Sequence, residues 1–336
     1  MTKRSAAVVG AGIAGLACAR VLAEAGLEVR VFDKARGAGG RASTRRETGF
    51  SFDHGAQFFT ARNLEFARLA ARWLADGAAA PWNARFAEVR PRPPRALVVS
   101  EPAETRYVGV PGMSALARDL ARGLDLRLSL RVEGATRRQG RWHLTAQDPA
   151  QTSAAIDLGG YDLLAVAVPA PQAVPLLADA PSLAAEAAAV RLEPCLALMA
   201  GFPVTLAAPF DAARVVGGPL SWVARDSSKP GRRSGEAFVA HASPEWSRAH
   251  LDAPPEESAP LLLAALSEVL GVEPGKPAFA QVHRWRYARA EGSLPGSCAC
   301  EPSLSAGACG DWTAGARIED AWLSGRALAA RLLERS

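Results

Sequence analysis

The feature that most constrains this chain is Gly10-Ala-Gly12-Ile-Ala-Gly15, set between an apolar pentapeptide and an apolar helical stretch. Residues 5–9 (Ser-Ala-Ala-Val-Val) read as a buried strand, 13–25 as a helix and 28–32 (Glu-Val-Arg-Val-Phe) as a second strand. The glycines therefore sit in the turn of a βαβ unit. Gly10 permits the tight turn out of the strand, Gly12 lets the backbone approach a pyrophosphate, and Gly15 lets the helix pack against the sheet. The helix start, with Ile13 and Ala14, offers free amides and the positive end of a helix dipole. Asp33 ends the second strand, 23 residues after Gly10, which suits a carboxylate that accepts hydrogen bonds from a ribose diol. A bare glycine turn in an unrelated α/β domain lacks this context. Lys34 and Arg36 would suit an NADP phosphate, but Asp33 would repel it.

Two further segments bear on the choice of dinucleotide. Gly39-Gly40-Arg41 lies just past the second strand, where a backbone turn and an arginine can grip a pyrophosphate. Cys309-Gly310-Asp311-Trp312 lies near the C-terminus. Together with the glycine turn, these segments resemble the flavoprotein superfamily of monoamine and polyamine oxidases, phytoene desaturases and renalases. In that family a late Gly-Asp binds the ribityl chain, so the resemblance implies FAD.

Within the superfamily the chain most resembles the bacterial renalases. The resemblance rests on Phe32–Arg41, on Asp53-His54-Gly55-Ala56-Gln57-Phe58-Phe59-Thr60 and on Gly109–Met113. It continues through Ser221–Pro230, His283–Tyr287 and Cys309–Gly325. It implies a Rossmann-like FAD-binding domain of the glutathione-reductase/p-hydroxybenzoate-hydroxylase type, with an inserted α+β substrate domain built on an antiparallel sheet. It also implies oxidation of isomeric dihydronicotinamide dinucleotides, with hydride passing to the flavin and then to dioxygen, giving NAD(P)+ and hydrogen peroxide. His54, Gly55, Ala56 and Gln57 are expected beside the isoalloxazine, with His54 part of the flavin environment and not a base. Cys309 matches no family position for covalent attachment, so FAD is expected to bind non-covalently.

Along the chain, 63–76 and 113–122 read as helices. Arg127–Arg131, Trp142–Ala146 and Ile156–Leu158 read as strands of a small antiparallel sheet, and Leu163–Val168 as a buried strand of the main sheet. A proline-rich break stands at Pro91, Pro93 and Pro94. Residues 194–202, 214–224 and 236–242 read as longer strands, and 256–270 and 320–333 as helices. The expected division is 1–76, 98–175 and 276–336 for the FAD-binding domain, and 77–97 and 176–275 for the substrate domain.

Composition narrows the partners. Four lysines stand among 39 basic residues and the formal net charge is +5; arginine suits bidentate binding of phosphate or carboxylate, and composition bias accounts for it equally. No basic run is interleaved with aromatics, so no nucleic-acid partner is expected. No apolar run approaches the ~18 residues of a membrane helix. The N-terminal apolar stretch is better explained by its glycines than by a signal peptide, which makes cytoplasm the expected location. Cys298-Ala-Cys300 with Cys309 matches no common zinc spacing.

A dihydropyridine is already a hydride donor, so the protein needs flat surfaces and cations more than a strong base. Trp222, Trp285 and Tyr287 are candidate surfaces, and Arg225 and Arg286 candidate charges for substrate phosphates. The two tryptophans equally suit core positions, the arginines equally suit surface ion pairs, and His241 suits a core histidine better than a pocket one. No second G-x-G-x-x-G exists, so a nicotinamide dinucleotide would be substrate and not cofactor. Three readings compete. One is an amine oxidase, disfavoured because 288–311 holds no aromatic and only Lys229 and Lys276 lie in the second half. Another is a desaturase or isomerase acting on lipids, disfavoured because neither a longer apolar entrance nor a membrane-binding helix is evident in the sequence, and the last is a flavin-binding redox module without turnover.

Overall fold

The computed structural model describes residues 3–47, 49–91, 95–101, 103–147, 155–232, 235–292, 294 and 296–334. Two large sheets carry the architecture. The first has six strands in the order Ala299–Glu301, Ala306–Ala308, Leu163–Val166, Ser5–Val9, Glu28–Phe32 and Asp125–Arg127. Its pairs are parallel except the outermost, Ala299–Glu301 with Ala306–Ala308. The helix Ile13–Glu24 is apolar on almost every face, because it lies between this sheet and the terminal helix Ile318–Leu333; Leu16 and Leu22 are fully buried. The helix Leu64–Ala75 starts where the Asn63 side chain accepts from the amides of Glu65 (2.9 Å) and Phe66 (3.3 Å). It buries Phe66, Ala70 and Trp73 at helical spacing.

The second sheet has seven strands in the order Phe279–Ala290, Leu192–Phe202, Glu236–Ala242, Leu220–Arg225, Ala212–Val215, Phe86–Arg90 and Ala96–Ser100. One face packs on the helix Pro255–Leu270 through Leu198, Phe238, Ala240, Leu262 and Leu266. On the other face Met199, Ala237 and Val239 meet Phe50 and Phe52. The sheet is antiparallel apart from Ala212–Val215, which runs parallel to Phe86–Arg90.

The structure corrects four expectations. Arg127–Arg131 is not one strand: Asp125–Arg127 edges the parallel sheet, Arg131–Arg138 opens a three-stranded antiparallel sheet, and Ser129 at φ 56° breaks the chain between them. The stretch 214–224 is two antiparallel strands joined through a turn at Gly217 and Gly218. Ala96–Ser100 carries the second sheet past residue 97. Phe279–Ala290 also belongs to that sheet, because the free edge of Leu192–Phe202 takes it up, so the sheet runs beyond the boundary expected at 276. Pro93 and Pro94 of the proline-rich break lie outside the described residues.

Candidate active site

The dinucleotide end is built from backbone. Gly10 has φ 112°, and a Cβ there would stand 2.5 Å from the Ala167 carbonyl oxygen, so the turn requires glycine. A Cβ on Gly15 would stand 1.9 Å from the Gly10 oxygen. Gly12 is different: it begins the helix with no side-chain cap, and a Cβ there would meet nothing within 4 Å. The first-turn amides, including those of Ile13 and Ala14, thus open onto free space at the positive end of the helix, a cradle that fits a pyrophosphate. Gly39 bridges to Gly12, with its amide on the Ala11 oxygen at 2.9 Å, and Gly40 stands over Gly12. Asp33 accepts from the amides of Ala11 (2.7 Å) and Ala35 (2.8 Å), which fixes its carboxylate beside the glycine loop. Lys34 next to it is exposed.

The two distant motifs meet. Arg41 makes a two-pronged ion pair with Asp311 at 2.7 and 2.6 Å and donates to the Ala288 carbonyl at 3.1 Å. Its guanidinium, expected on the pyrophosphate, is here committed to the late Gly-Asp. Gly310 donates its amide to Ser324 Oγ at 3.0 Å, and Ala56 donates to the Arg41 carbonyl at 2.8 Å. The His54–Gln57 segment, with Gly55, is therefore tied to the same joint. Cys309 is fully buried; its hydrogen bond with Cys18 and its burial push the thiol well above the ordinary range. It is not a reactive thiolate.

Beyond this joint, rings from the second sheet face the Asp53–Gln57 segment. His283, Ala197, His241 and Trp222 form one cross-strand row over four strands, with Trp285 one step further on the same face. The His54 ring stacks on Trp285 at 5.0 Å and meets His283 edge-on at 4.6 Å. Trp285 Nε1 donates to the His54 carbonyl at 2.9 Å, and His241 Nε2 lies 3.2 Å from the same oxygen. Burial pushes His54, His241 and His283 each down to about 4, so all three are neutral near pH 7. The Trp222 indole N–H is buried and without a hydrogen-bond partner, an unsatisfied donor of the kind that buried polar groups rarely leave.

A buried charge cluster lies behind the rings, and the sequence reading gave it no role. Lys229 Nζ is 2.5 Å from Asp226, 3.4 Å from Asp53 and 3.2 Å from Gln57 Oε1. Arg232 also pairs with Asp53. Lys229, Asp226 and Asp53 have fully buried side chains. Burial raises the Asp53 carboxyl, but Lys229, Arg232, the Met113 amide and Thr44 together hold it below the ordinary range. For Asp226 burial prevails over Lys229, aided by the charge of Asp53, and its carboxyl lies above that range. A lone lysine in an arginine-rich chain was the available signal.

The predicted cations do not reach the rings. Arg225 pairs with Glu236 at 3.0 Å and Asp211 at 3.8 Å. It stands three residues from Trp222, so strand alternation turns it to the other face. Arg286 points away from Trp285 for the same reason and pairs with Asp252 at 2.8 Å in solvent. Tyr287 brings its backbone carbonyl to within 3.5 Å of Arg41. Arg106 lies over the rings of Phe58 (4.7 Å) and Phe86 (3.9 Å) and has no ion pair among the described residues. Phe58 in turn touches Trp222 at 5.9 Å.

Comparison with known proteins agrees with this geometry. Residues 8–73 match the NAD(P)-binding Rossmann-like domain, and residues 85–333 match the flavin containing amine oxidoreductase family. A zeta-carotene-forming phytoene desaturase of Myxococcus xanthus is 48% identical over 52 residues, 16% of this chain and 10% of the desaturase. A 4,4'-diapophytoene desaturase of Staphylococcus aureus is 47% identical over 49 residues, 15% of this chain and 10% of that enzyme. The chain thus matches about a tenth of the length of these curated relatives. Among solved structures, a chain from Exiguobacterium sp. 255-15 with a provisional protoporphyrinogen oxidase name superposes at TM-score 0.77, with 14% identity, over 99% of this chain and 100% of the other. Putrescine oxidase bound to putrescine superposes at 0.74, with 15% identity and coverage of 99% and 100%. Likeness at that identity speaks for fold. With three quarters of its length inside the family match, the chain belongs to the flavin-containing amine oxidoreductases and is an FAD-dependent oxidoreductase.

Proposed function

We propose that the protein oxidises isomeric dihydronicotinamide dinucleotides, the reaction its resemblance to renalases implies. The observation that carries this reading is the neutrality of the ring-lined face. His54, His241 and His283 are uncharged near pH 7, and the nearest carboxylates, Asp53 and Asp226, are engaged with Lys229 and Arg232. A flat, neutral dihydropyridine suits such walls, whereas an ammonium finds no free carboxylate.

FAD held in this site would supply a two-electron acceptor for the dihydropyridine hydride, with NAD(P)+ as product and dioxygen as the final acceptor, reduced to hydrogen peroxide. The chain's own groups position. The amides at the first helix hold the cofactor pyrophosphate and Asp33 its ribose, while Asp311, oriented by Arg41, serves the ribityl chain. Trp222 offers its unpartnered N–H to the bound ring systems. With Arg225 and Arg286 engaged elsewhere, Arg106 is the cation for substrate phosphates. Covalent attachment is not expected, since Cys309 is a buried, protonated thiol, and the cytoplasm remains the proposed location.

The test is anaerobic mixing of the holoenzyme with an isomeric NADH preparation, with flavin absorbance followed. Rapid bleaching with release of NAD+ is expected. No bleaching, alongside bleaching by a simple amine, overturns the reading. That second outcome has one observation in its favour, the buried Lys229 beside Gln57, since amine oxidases place a lysine near the flavin.

A further inference from the structure

The strand Ala96–Ser100 ends the seven-stranded sheet, and among the described residues its outer edge has no partner strand. Native sheets protect such an edge with charge, proline or cover. Here the five residues are Ala-Leu-Val-Val-Ser, with neither charge nor proline among them. Leu97, Val98 and Val99 are 36%, 62% and 71% exposed, which makes this a concentrated apolar patch on an open hydrogen-bonding edge.

The side-chain pattern says what covers it. Leu97 pairs with Val89, and Val99 with Ala87, so both extend the sheet face that the helix Pro255–Leu270 covers further in. Beside Leu97 an open groove runs past Pro209, Leu270 and Val272. Arg95 lies at one end of the strand, over the C-terminus of that helix, with one hydrogen bond to the Val269 carbonyl at 3.4 Å. Glu101 lies exposed at the other end. Neither makes an ion pair among the described residues.

We propose that this edge pairs two copies of the chain about a two-fold axis at Val98. Antiparallel pairing in that register sets Val98 against its own copy, Leu97 against Val99, and Arg95 against Glu101 at both ends. The patch is thereby self-complementary in hydrogen bonding, shape and charge, as a closed two-fold contact requires. The partner's Val99 enters the groove beside Leu97, and the two sheets become one.

The experiment is sedimentation velocity of the holoenzyme across the micromolar range, read at the flavin absorbance so that only folded, loaded protein is counted. The wild-type chain dimerises. Arg95→Glu and Glu101→Arg each set like charges against each other and weaken the dimer at least about tenfold, and the double reversal restores it. Val98→Cys cross-links under mild oxidation, because opposed Cα atoms in an antiparallel pair lie about 4.5–5.5 Å apart, within disulfide reach; the wild-type chain, with its five cysteines, is the control. A monomer throughout the range, an uncross-linked Val98→Cys protein, or a double reversal that fails to restore the dimer overturns the proposal.

Discussion

Replacing Lys229 with methionine isolates one charge in the interior. The methionine keeps most of the stem volume, so the change is chiefly electrostatic. Lys229 and Asp226 are fully buried and 2.5 Å apart, while Arg232 stays with Asp53. Without the ammonium, Asp226 loses its ion-pair partner and keeps only the weaker pull of Arg232, and its carboxyl, already raised by burial, rises further. The folded protein then takes up a proton that the unfolded chain does not hold. Protonating a carboxylate of unfolded pKa near 3.9 costs about 1.4 kcal/mol per pH unit; because the wild-type Asp226 carboxyl already lies above the ordinary range, the loss of stability is at most about 4 kcal/mol at pH 7 and at most about 1.5 kcal/mol at pH 5. The first figure matches the ~3–5 kcal/mol typical of removing one partner from a buried pair. The sign follows from linkage: the variant's folded state binds the extra proton, so its deficit grows as pH rises above the unfolded value and shrinks as pH falls. Denaturant unfolding of the apoprotein at both pH values measures it, with Lys229→Met/Asp226→Asn expected to recover most of the loss. A deficit that does not change with pH would refute the reasoning, because it means that Asp226 is already protonated beside Lys229.

Four further outcomes are expected. Gly15→Ala drives a methyl group to 1.9 Å from the Gly10 oxygen and abolishes flavin retention, read as the absorbance ratio of the purified protein; full flavin content contradicts the packing argument. His54, His241 and His283 fall from 6.5 to about 4 on folding. Apoprotein stability is therefore complete above about pH 6.5 and is lost as pH falls toward about 4, by up to roughly 3 kcal/mol for a fully buried ring and less for the half-buried His283; a flat profile over that interval shows that the rings are solvated. Arg106→Ala raises KM for the dinucleotide about 10- to 100-fold, as for a lost charged hydrogen bond, with FAD content unchanged, whereas Arg225→Ala strips Glu236 of its cation and lowers the unfolding midpoint; the reverse assignment of effects returns Arg225 to the substrate. Cys309→Ala retains flavin that acid precipitation releases completely, and flavin that stays with the wild-type precipitate would establish a covalent bond.

What was legible in the sequence is what backbone chemistry dictates locally. Gly10 and Gly15 are required by close backbone approaches at the first strand–helix turn, so their spacing alone located that turn and the start of the helix. The meeting of Arg41 with Asp311 was legible only as two halves, since a bond across 270 residues depends on the sheet order that brings them together. Arg225 and Arg286 were misplaced by a step that the sequence did contain. Side chains alternate along a strand, so once Trp285 faces inward Arg286 cannot, and the same parity separates Trp222 from Arg225. Lys229 was least legible of all. It sits just past a short helical turn, Asp226–Ser228, where no period assigns a face, and its partners Asp53 and Gln57 come from a segment more than 170 residues earlier. Local sequence can require a glycine, but it cannot announce that a lysine will be buried, because that depends on carboxylates the fold delivers from elsewhere.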